Sequence, residues 1–96
     1  MKKMRNNNVS RFDEILQEMR ELYEKKNSDY GNSFTETIQE FGFVPAVARI
    51  NDKVKRMKNI VKGQEMNVKE ETFRDALLDT SVYCVLTLME IENKAK

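Results

Sequence analysis

The fold is decided by one stretch near the end of the chain, DALLDTSVYCVLTLMEI at residues 75–91. The stretch contains no Gly or Pro, and its apolar residues recur at three- and four-residue intervals, which is typical of an α-helix. They fall on nearly every side of the helix, as in a helix that is buried between neighbours. Because few elements of so short a chain can cover such a surface, we predict a homo-oligomer whose interface includes part of this helix.

The chain before this stretch is also predicted to be helical, because the 96 residues include three Gly and one Pro. We expect an all-α fold without strands, a small helical bundle of three long helices and one short helix. We expect a flexible basic tail over residues 1–9, followed by a single helical domain over residues 10–96. Capping residues, apolar stripes and turn residues predict the bounds of the helices: Ser10 to about Lys26, Ser33 to Gly42, Pro45 to Gly63, and Asn67 to the end of the chain.

The residue types that are missing exclude several classes of chemistry. The chain has no His, so it cannot form a nucleophile pair or a zinc site that needs an imidazole. Cys84 is the one cysteine, which excludes an internal disulfide, and its apolar neighbours predict a buried thiol. A net charge of +1 argues against binding of duplex nucleic acid.

The sequence contains no evident membrane or targeting segment. No apolar run approaches the roughly 18–20 residues that span a bilayer. The first residues, MKKMRNNN, are basic but lead into no apolar segment, so we interpret them as neither a signal peptide nor an anchor. We therefore expect no membrane partner and a location in the cytoplasm.

A line of ionisable residues on the final helix is the first candidate site. Asp75, Asp79 and Tyr83 follow one another at four-residue spacing and therefore share one face of the helix. Burying an unpaired carboxylate is costly, so these acids need cations, a metal or water. One interpretation is a set of ion pairs with basic residues of the preceding helix. The other is a Mg²⁺ site, because this ion prefers carboxylate oxygens, with the ligands Glu18, Asp75 and Asp79.

Basic residues on two segments are the second candidate site. Lys53 and Arg56 are three residues apart and point to one side of their helix, with Arg49 one turn earlier. Arg grips phosphate in a bidentate manner, and Lys acts as a point charge. The turn KNSDYGNS at residues 26–33 adds a lysine and a phenol that can stack on a base. This set suits a nucleotide, although an ordinary turn and a solvated basic face have the same composition.

Three segments together are similar to a known family: KNSDYGNSF (26–34), RINDKVKRMKNIV (49–61) and DALLDTSVYCVLTLMEI (75–91). They resemble the nucleotide modification associated domain proteins of type 1, small helical proteins common in phages and prophages and similar to the MazG-like all-α nucleotide pyrophosphatases. The resemblance covers roughly residues 12–92. It implies a location in the cytoplasm of a bacterial host. It also implies a nucleotide site lined by Lys26, Asp29, Tyr30, Gly31, Lys53, Arg56, Asp75, Asp79 and Tyr83.

One departure from the MazG-like pattern bears on activity. Those enzymes bind Mg²⁺ through an E-x-x-E pair on one helix and an E-x-x-D pair on the next, whereas this chain has Lys53 and Arg56 on the helix before Asp75 and Asp79. A cationic pair can neutralise phosphate without a metal, which suits holding a nucleotide more than cleaving it. We therefore predict no catalytic residue, and Mg²⁺ is the one candidate cofactor.

The predicted function is binding of a nucleotide or a cyclic nucleotide signal, with Lys and Arg on the phosphates and Tyr30 or Tyr83 on the base. A phage protein of this kind would sequester an immune signal of its host. Two alternatives stay open. The first is a Mg²⁺-dependent nucleotide pyrophosphohydrolase with Glu18, Asp75 and Asp79 as metal ligands. The second is a structural or protein-binding helical module whose acids and bases pair with each other.

Overall fold

The described residues fold into four α-helices. The structure is a computed structural model that describes residues 2–30, 32–63 and 66–95, with side chains described for 7–27, 32–63 and 72–93. The helices are α1 (Lys2–Tyr30), α2 (Ser33–Phe41), α3 (Val44–Lys62) and α4 (Met66–Ala95). No strand occurs in the described ranges, so the all-α prediction is confirmed. Among these same residues, no helix has both the length and the apolarity needed to cross a membrane.

The helix α4 connects the other elements. It packs most extensively against α3 and also against α1, while α2 packs against α3. The buried apolar side chains are Ile38 of α2, Ala46 of α3, and Ala76 and Val82 of α4. Two of these four are alanines, which have little apolar surface to remove from water. The fully buried core of the described residues is therefore small, and other apolar side chains such as Leu22, Ile50 and Val54 are partly buried.

One polar contact lies deep in the bundle. Glu90 of α4 is 7% exposed, and its carboxylate accepts a hydrogen bond of 2.5 Å from the hydroxyl of Thr35 in α2. The hydroxyls of Thr80 and Thr87 donate to carbonyl oxygens one turn earlier in α4. No buried side-chain nitrogen or oxygen of the described part of the chain lacks a partner. The polar groups on α4 are thus accommodated by hydrogen bonds, as buried polar atoms require.

Several predicted helix ends differ from the observed ones. The first helix begins at Lys2 instead of Ser10 and ends at Tyr30 instead of Lys26. Residues 1–9 lack Gly and Pro, so nothing in them stops a helix that has already nucleated. The flexibility of residues 1–9 stays a prediction, and so does the boundary between this tail and the helical domain at residue 10.

The predicted caps of α2 and α4 also differ from the structure. The residue that precedes α2 is Asn32, and it makes no side-chain capping bond, so the predicted cap at Ser33 is wrong. Instead, the Ser33 carbonyl accepts a hydrogen bond from the hydroxyl of Thr37. The helix α4 begins at Met66, one residue before the predicted cap at Asn67, whose side chain lies outside the described residues.

The ends of α2 and α3 follow the prediction. The Gly42 amide donates to the Ile38 carbonyl at 2.8 Å and closes α2, Pro45 lies in the first turn of α3, and Gly63 follows its last residue. Pro suits this position because the first amides of a helix have no intrahelical acceptor.

The predicted burial of Cys84 is wrong, because its side chain is exposed. The apolar residues around α4 suggested a helix covered on all sides. The remaining helices of one chain cover the sides that face α1 and α3 and leave this one open.

The two glycines that end α2 and α3 should respond differently to substitution. Gly42 has φ 75° and ψ −157°, a conformation that is essentially restricted to glycine, whereas Gly63 has φ −66° and ψ 161°, which any residue adopts. We expect Gly42→Ala to lower the free energy of unfolding by about 1–3 kcal/mol. Gly63→Ala should change it by less than about 1 kcal/mol and in the stabilising direction. Urea denaturation of both variants tests this, and equal losses would contradict it.

Candidate functional site

The carboxylate of Asp79 joins three helices. Its Oδ1 lies 2.8 Å from Nζ of Lys26 in α1, and its Oδ2 forms a second ion pair with Nζ of Lys53 in α3. The Asp79 side chain is 17% exposed, and both lysines are partly buried beside it. An ion pair of this kind meets the need of a partly buried carboxylate for positive partners. For Asp79, this contact agrees with the interpretation of the acidic residues of α4 as members of ion pairs and not as Mg²⁺ ligands.

The two lysines determine the ionisation of Asp79. Partial burial raises the pKa of this carboxyl, but the hydrogen bonds and the positive charges of Lys26 and Lys53 together lower it by more. The pKa of Asp79 therefore lies below its ordinary value, and the group is ionised at neutral pH.

A cavity next to this ion pair is lined by aromatic and basic side chains. We call it the Tyr83 pocket, and its volume is about 300 Å³. Residues of all four helices line it: Tyr23, Lys26, Asn27, Ser33, Phe34, Thr37, Pro45, Arg49, Tyr83 and Leu86. A concave site with apolar walls and a few polar groups is the usual form of a small-molecule site.

The ring of Tyr83 has two cations beside it. Nζ of Lys26 lies 5.0 Å from the ring centroid, and the guanidinium carbon of Arg49 lies 5.4 Å from it. Phe34 adds a second ring, with its centroid 6.1 Å from that of Tyr83 and the planes inclined at 51°. The pocket thus combines flat aromatic surfaces with positive charge, the two features that a base and a phosphate require.

A second, more open cavity lies on the other side of the ion pair. We call it the Asp79 hollow; its volume is about 590 Å³. Acidic and basic side chains from three helices line it together with apolar ones: Glu18, Glu21, Leu22, Lys25, Lys53, Arg56, Thr72, Asp75, Ala76, Leu78 and Asp79. Lys53 and Arg56 therefore face a common space, as their spacing predicts.

The carboxylates of this hollow do not converge on a metal position. Glu18 accepts a bidentate pair of hydrogen bonds from Arg74 of α4, at 2.9 and 2.5 Å, and this contact lowers the pKa of Glu18. Asp79 is held by its two lysines. Within the described ranges, no group of three His, Cys, Asp or Glu side chains is close enough to hold an ion. Glu18, Asp75 and Asp79 thus share a cavity without forming a ligand set.

The structure divides the predicted phosphate-binding residues between the two cavities. Arg49 lies at the Tyr83 pocket, whereas Lys53 and Arg56 lie at the Asp79 hollow. The side chains of Asp29 and Tyr30, and the whole of Gly31, lie outside the described residues.

Several residues of the site were not predicted, among them Phe34, Tyr23 and Thr37 in the wall of the pocket. Arg74, the partner of Glu18, was not predicted either. The residue spacing on α4 gives a sequence signal from which a partner such as Phe34 could have been predicted. Five residues of α4 alternate at three- and four-residue intervals and form the side that faces the other three helices, which we call the inner seam: Ala76, Asp79, Tyr83, Leu86 and Glu90. Residues at such intervals share one helix face, so the polar members of the inner seam predict polar or aromatic partners on neighbouring helices.

A family model covers most of the chain. Residues 26–91 match the family described as nucleotide modification associated domain 1. The chain belongs to this family. The family predicted from the sequence motifs is thereby confirmed, and the matched region includes Lys26, Arg49, Asp79 and Tyr83. No curated protein and no solved structure shows significant similarity to this member of the nucleotide modification associated domain 1 family.

The ion pairs of Asp79 should make stability depend on pH. Because its pKa is lower in the folded than in the unfolded state, the contribution of Asp79 is complete above the unfolded value, near pH 4, and is lost as the pH falls through the folded value. We expect Asp79→Asn to lower the free energy of unfolding at pH 7 by about 1–3 kcal/mol. The variant should also lose less stability than the parent chain below about pH 4.

Urea denaturation at several pH values measures both effects. The matched control is Asp75→Asn, one turn earlier on α4 and exposed, which should change stability by less than about 0.5 kcal/mol. Equal losses for the two variants would show that the lysine contacts of Asp79 do not stabilise the fold.

Proposed function

We propose that this chain binds a nucleotide in the Tyr83 pocket. The observation that carries the proposal is the position of Tyr83, whose ring has the Lys26 ammonium and the Arg49 guanidinium within 5.4 Å of its centroid inside one cavity. Membership of the nucleotide modification associated domain 1 family supports the same class of ligand.

The base of the nucleotide lies against the aromatic wall. Tyr83 and Phe34 offer two rings inclined to each other, and Tyr23 offers a third side chain of this type. Stacking on such rings contributes about 1–3 kcal/mol per base and tolerates any base, because every base has a flat π face. Ser33, Thr37 and Asn27 line the same pocket and supply the groups that hydrogen-bond to the base or the sugar.

Arg49 binds the phosphate. Its side chain is exposed at the pocket, and its planar fork of donors matches the oxygens of a phosphate. The nearby group of Lys26, Lys53 and Asp79 contains two positive charges and one negative charge, so it leaves the pocket electropositive. This assignment differs from the sequence-based one, which placed the phosphate on Lys53 and Arg56. Lys53 is already paired with Asp79, and Arg56 lies at the other cavity.

Arginine variants distinguish the two cavities. We expect Arg49→Gln to weaken nucleotide binding by roughly 10- to 100-fold, since it removes a charge-assisted hydrogen bond. Arg56→Gln is the matched control at the Asp79 hollow and should change the affinity by less than about threefold. Tyr83→Leu, which keeps an apolar side chain but removes the ring, should weaken binding at least about tenfold. Calorimetric titration with nucleoside mono-, di- and triphosphates and with cyclic dinucleotides measures these affinities.

The same titrations can contradict the proposal. If Arg56→Gln weakens binding and Arg49→Gln does not, the phosphate lies in the Asp79 hollow. If the parent chain binds none of these ligands, the alternative of a structural or protein-binding module replaces nucleotide binding.

We propose sequestration over hydrolysis as the outcome of binding. A pyrophosphohydrolase of the MazG-like type needs carboxylates that are free to hold Mg²⁺. Here Glu18 is paired with Arg74 and Asp79 with two lysines, and the basic Lys53 and Arg56 line the same hollow. These side chains as arranged do not fit a Mg²⁺ ion, since its ligands must be unpaired oxygens at short distance.

A recovery experiment separates the two outcomes. The protein is incubated with the nucleotide panel and Mg²⁺, removed by filtration, and heated to release what it holds. We expect the bound nucleotide to disappear from the filtrate and to return chemically intact on heating. Mono- or diphosphate products that are absent with Asp79→Asn would support the hydrolase instead.

The proposal also covers the origin, the ancestry and the location of the protein. We propose a phage or mobile-element origin, a MazG-like ancestry and a place in the cytoplasm of a bacterial host, where a nucleotide-derived immune signal would be the ligand. We also propose that the protein works as a homo-oligomer.

A further inference from the structure

The single chain leaves a large surface uncovered. Its accessible surface is 7850 Å². A compact monomer of 11.3 kDa is expected to have about 5,700 Å². The excess of roughly 2,000 Å² is within the range that each subunit buries in an obligate homodimer.

Much of the apolar part of this surface belongs to α1 and α4. Residues 7–17 of α1 are all exposed, including Phe12 at 63%. On α4, Val85 is 41% exposed, and Met89 and Leu88 are also exposed. Contiguous exposed apolar residues of this size on a small domain mark an interaction surface.

These residues form a groove and a ridge. The groove between α1 and α4 has a volume of about 230 Å³, and six of its lining residues are apolar or aromatic: Leu16, Met19, Tyr23, Val82, Val85 and Met89. Arg20 is the one charged residue in its lining. A nucleotide does not suit such a groove, because its phosphates would find almost no polar partner. The ridge is the part of α1 that continues the same face outward, from Leu16 to Phe12.

The spacing on both helices is that of a helix–helix interface. On α1, residues 12, 16, 19 and 23 are apolar or aromatic, and on α4 residues 78, 82, 85 and 89 are apolar. Alternating steps of three and four keep each row on one face and allow side chains to interlock with a facing helix. We infer that a second copy of this chain covers the groove, with the Phe12 ridge of each copy seated in the α1–α4 groove of the other. A two-fold axis generates both contacts from one surface.

The interface and the ligand pocket share one side chain. Tyr23 lines the α1–α4 groove and also the Tyr83 pocket. A second copy that covers the groove therefore packs behind a wall of the pocket and supports it. The interface deepens the homo-oligomer of the proposed function, and this link to the ligand rests on nucleotide binding in the Tyr83 pocket.

Sedimentation of the full chain tests the interface without any ligand. We expect the parent protein to sediment with at least twice the mass of one 11.3 kDa chain. Val85→Glu should sediment as a monomer. The matched control is Val61→Glu at the end of α3, where the valine is 52% exposed and lies outside the groove. This variant should keep the parent mass.

A second variant covers the case in which Val85→Glu fails to fold, which far-ultraviolet circular dichroism detects. Phe12→Glu lies in the exposed part of α1, where the chain's own packing is slight, and should weaken self-association at least tenfold while helicity is retained. A monomeric parent protein would overturn the inference. So would a dimer that persists in Phe12→Glu and in folded Val85→Glu, since another surface would then hold the copies together. Because no nucleotide is present, a negative result overturns the homo-oligomer and leaves nucleotide binding in the Tyr83 pocket to its own titrations.

Discussion

The contact on which the rest of the structure depends is the carboxylate of Asp79 between Lys26 and Lys53. It lies where α1, α3 and α4 meet, and it links three helices whose apolar core is small. A carboxylate that is 17% exposed needs positive partners, and two lysines satisfy this need from two different helices. The ion pair also separates the Tyr83 pocket from the Asp79 hollow. Lys26 lines the Tyr83 pocket, and Lys53 and Asp79 line the Asp79 hollow, so members of the ion pair border both cavities.

The inner seam of α4 explains how polar residues are tolerated in the most apolar helix of the chain. Each polar member of the seam has a partner on another helix: Asp79 has two lysines, Tyr83 has Arg49 and Phe34, and Glu90 has Thr35. The structural alternative, in which acids and bases pair with each other, therefore describes part of the molecule correctly. It does not account for the pocket beside Tyr83, where aromatic rings and a guanidinium line an accessible space. In our proposal, some charged residues form ion pairs between helices and Arg49 binds the ligand.

The neighbouring side of α4, which faces the groove with α1, poses a different physical problem. The groove between α1 and α4 is almost free of polar groups, and the ridge that continues it is exposed to water. Exposed apolar surface costs free energy in proportion to its area, and a fold this small has few other elements with which to cover it. In our proposal, a second copy covers this apolar surface, and the polar inner seam contributes to the ligand pocket.

The helical class, the turns at Gly42 and Pro45, the family, and the candidate cations and carboxylates could be predicted from the sequence, because these follow from local spacing and residue type. The sequence pattern predicted the wrong start of α1 and a buried Cys84. Local patterns specify neither how far a helix extends nor which of its faces is covered by other helices. Only the tertiary structure decided which cation meets which acid. Arg49 and Lys53 lie four residues apart on one helix, yet one faces the aromatic pocket and the other is bound to Asp79. The positions of the neighbouring helices cause this difference, and residue spacing along a single helix does not specify those positions.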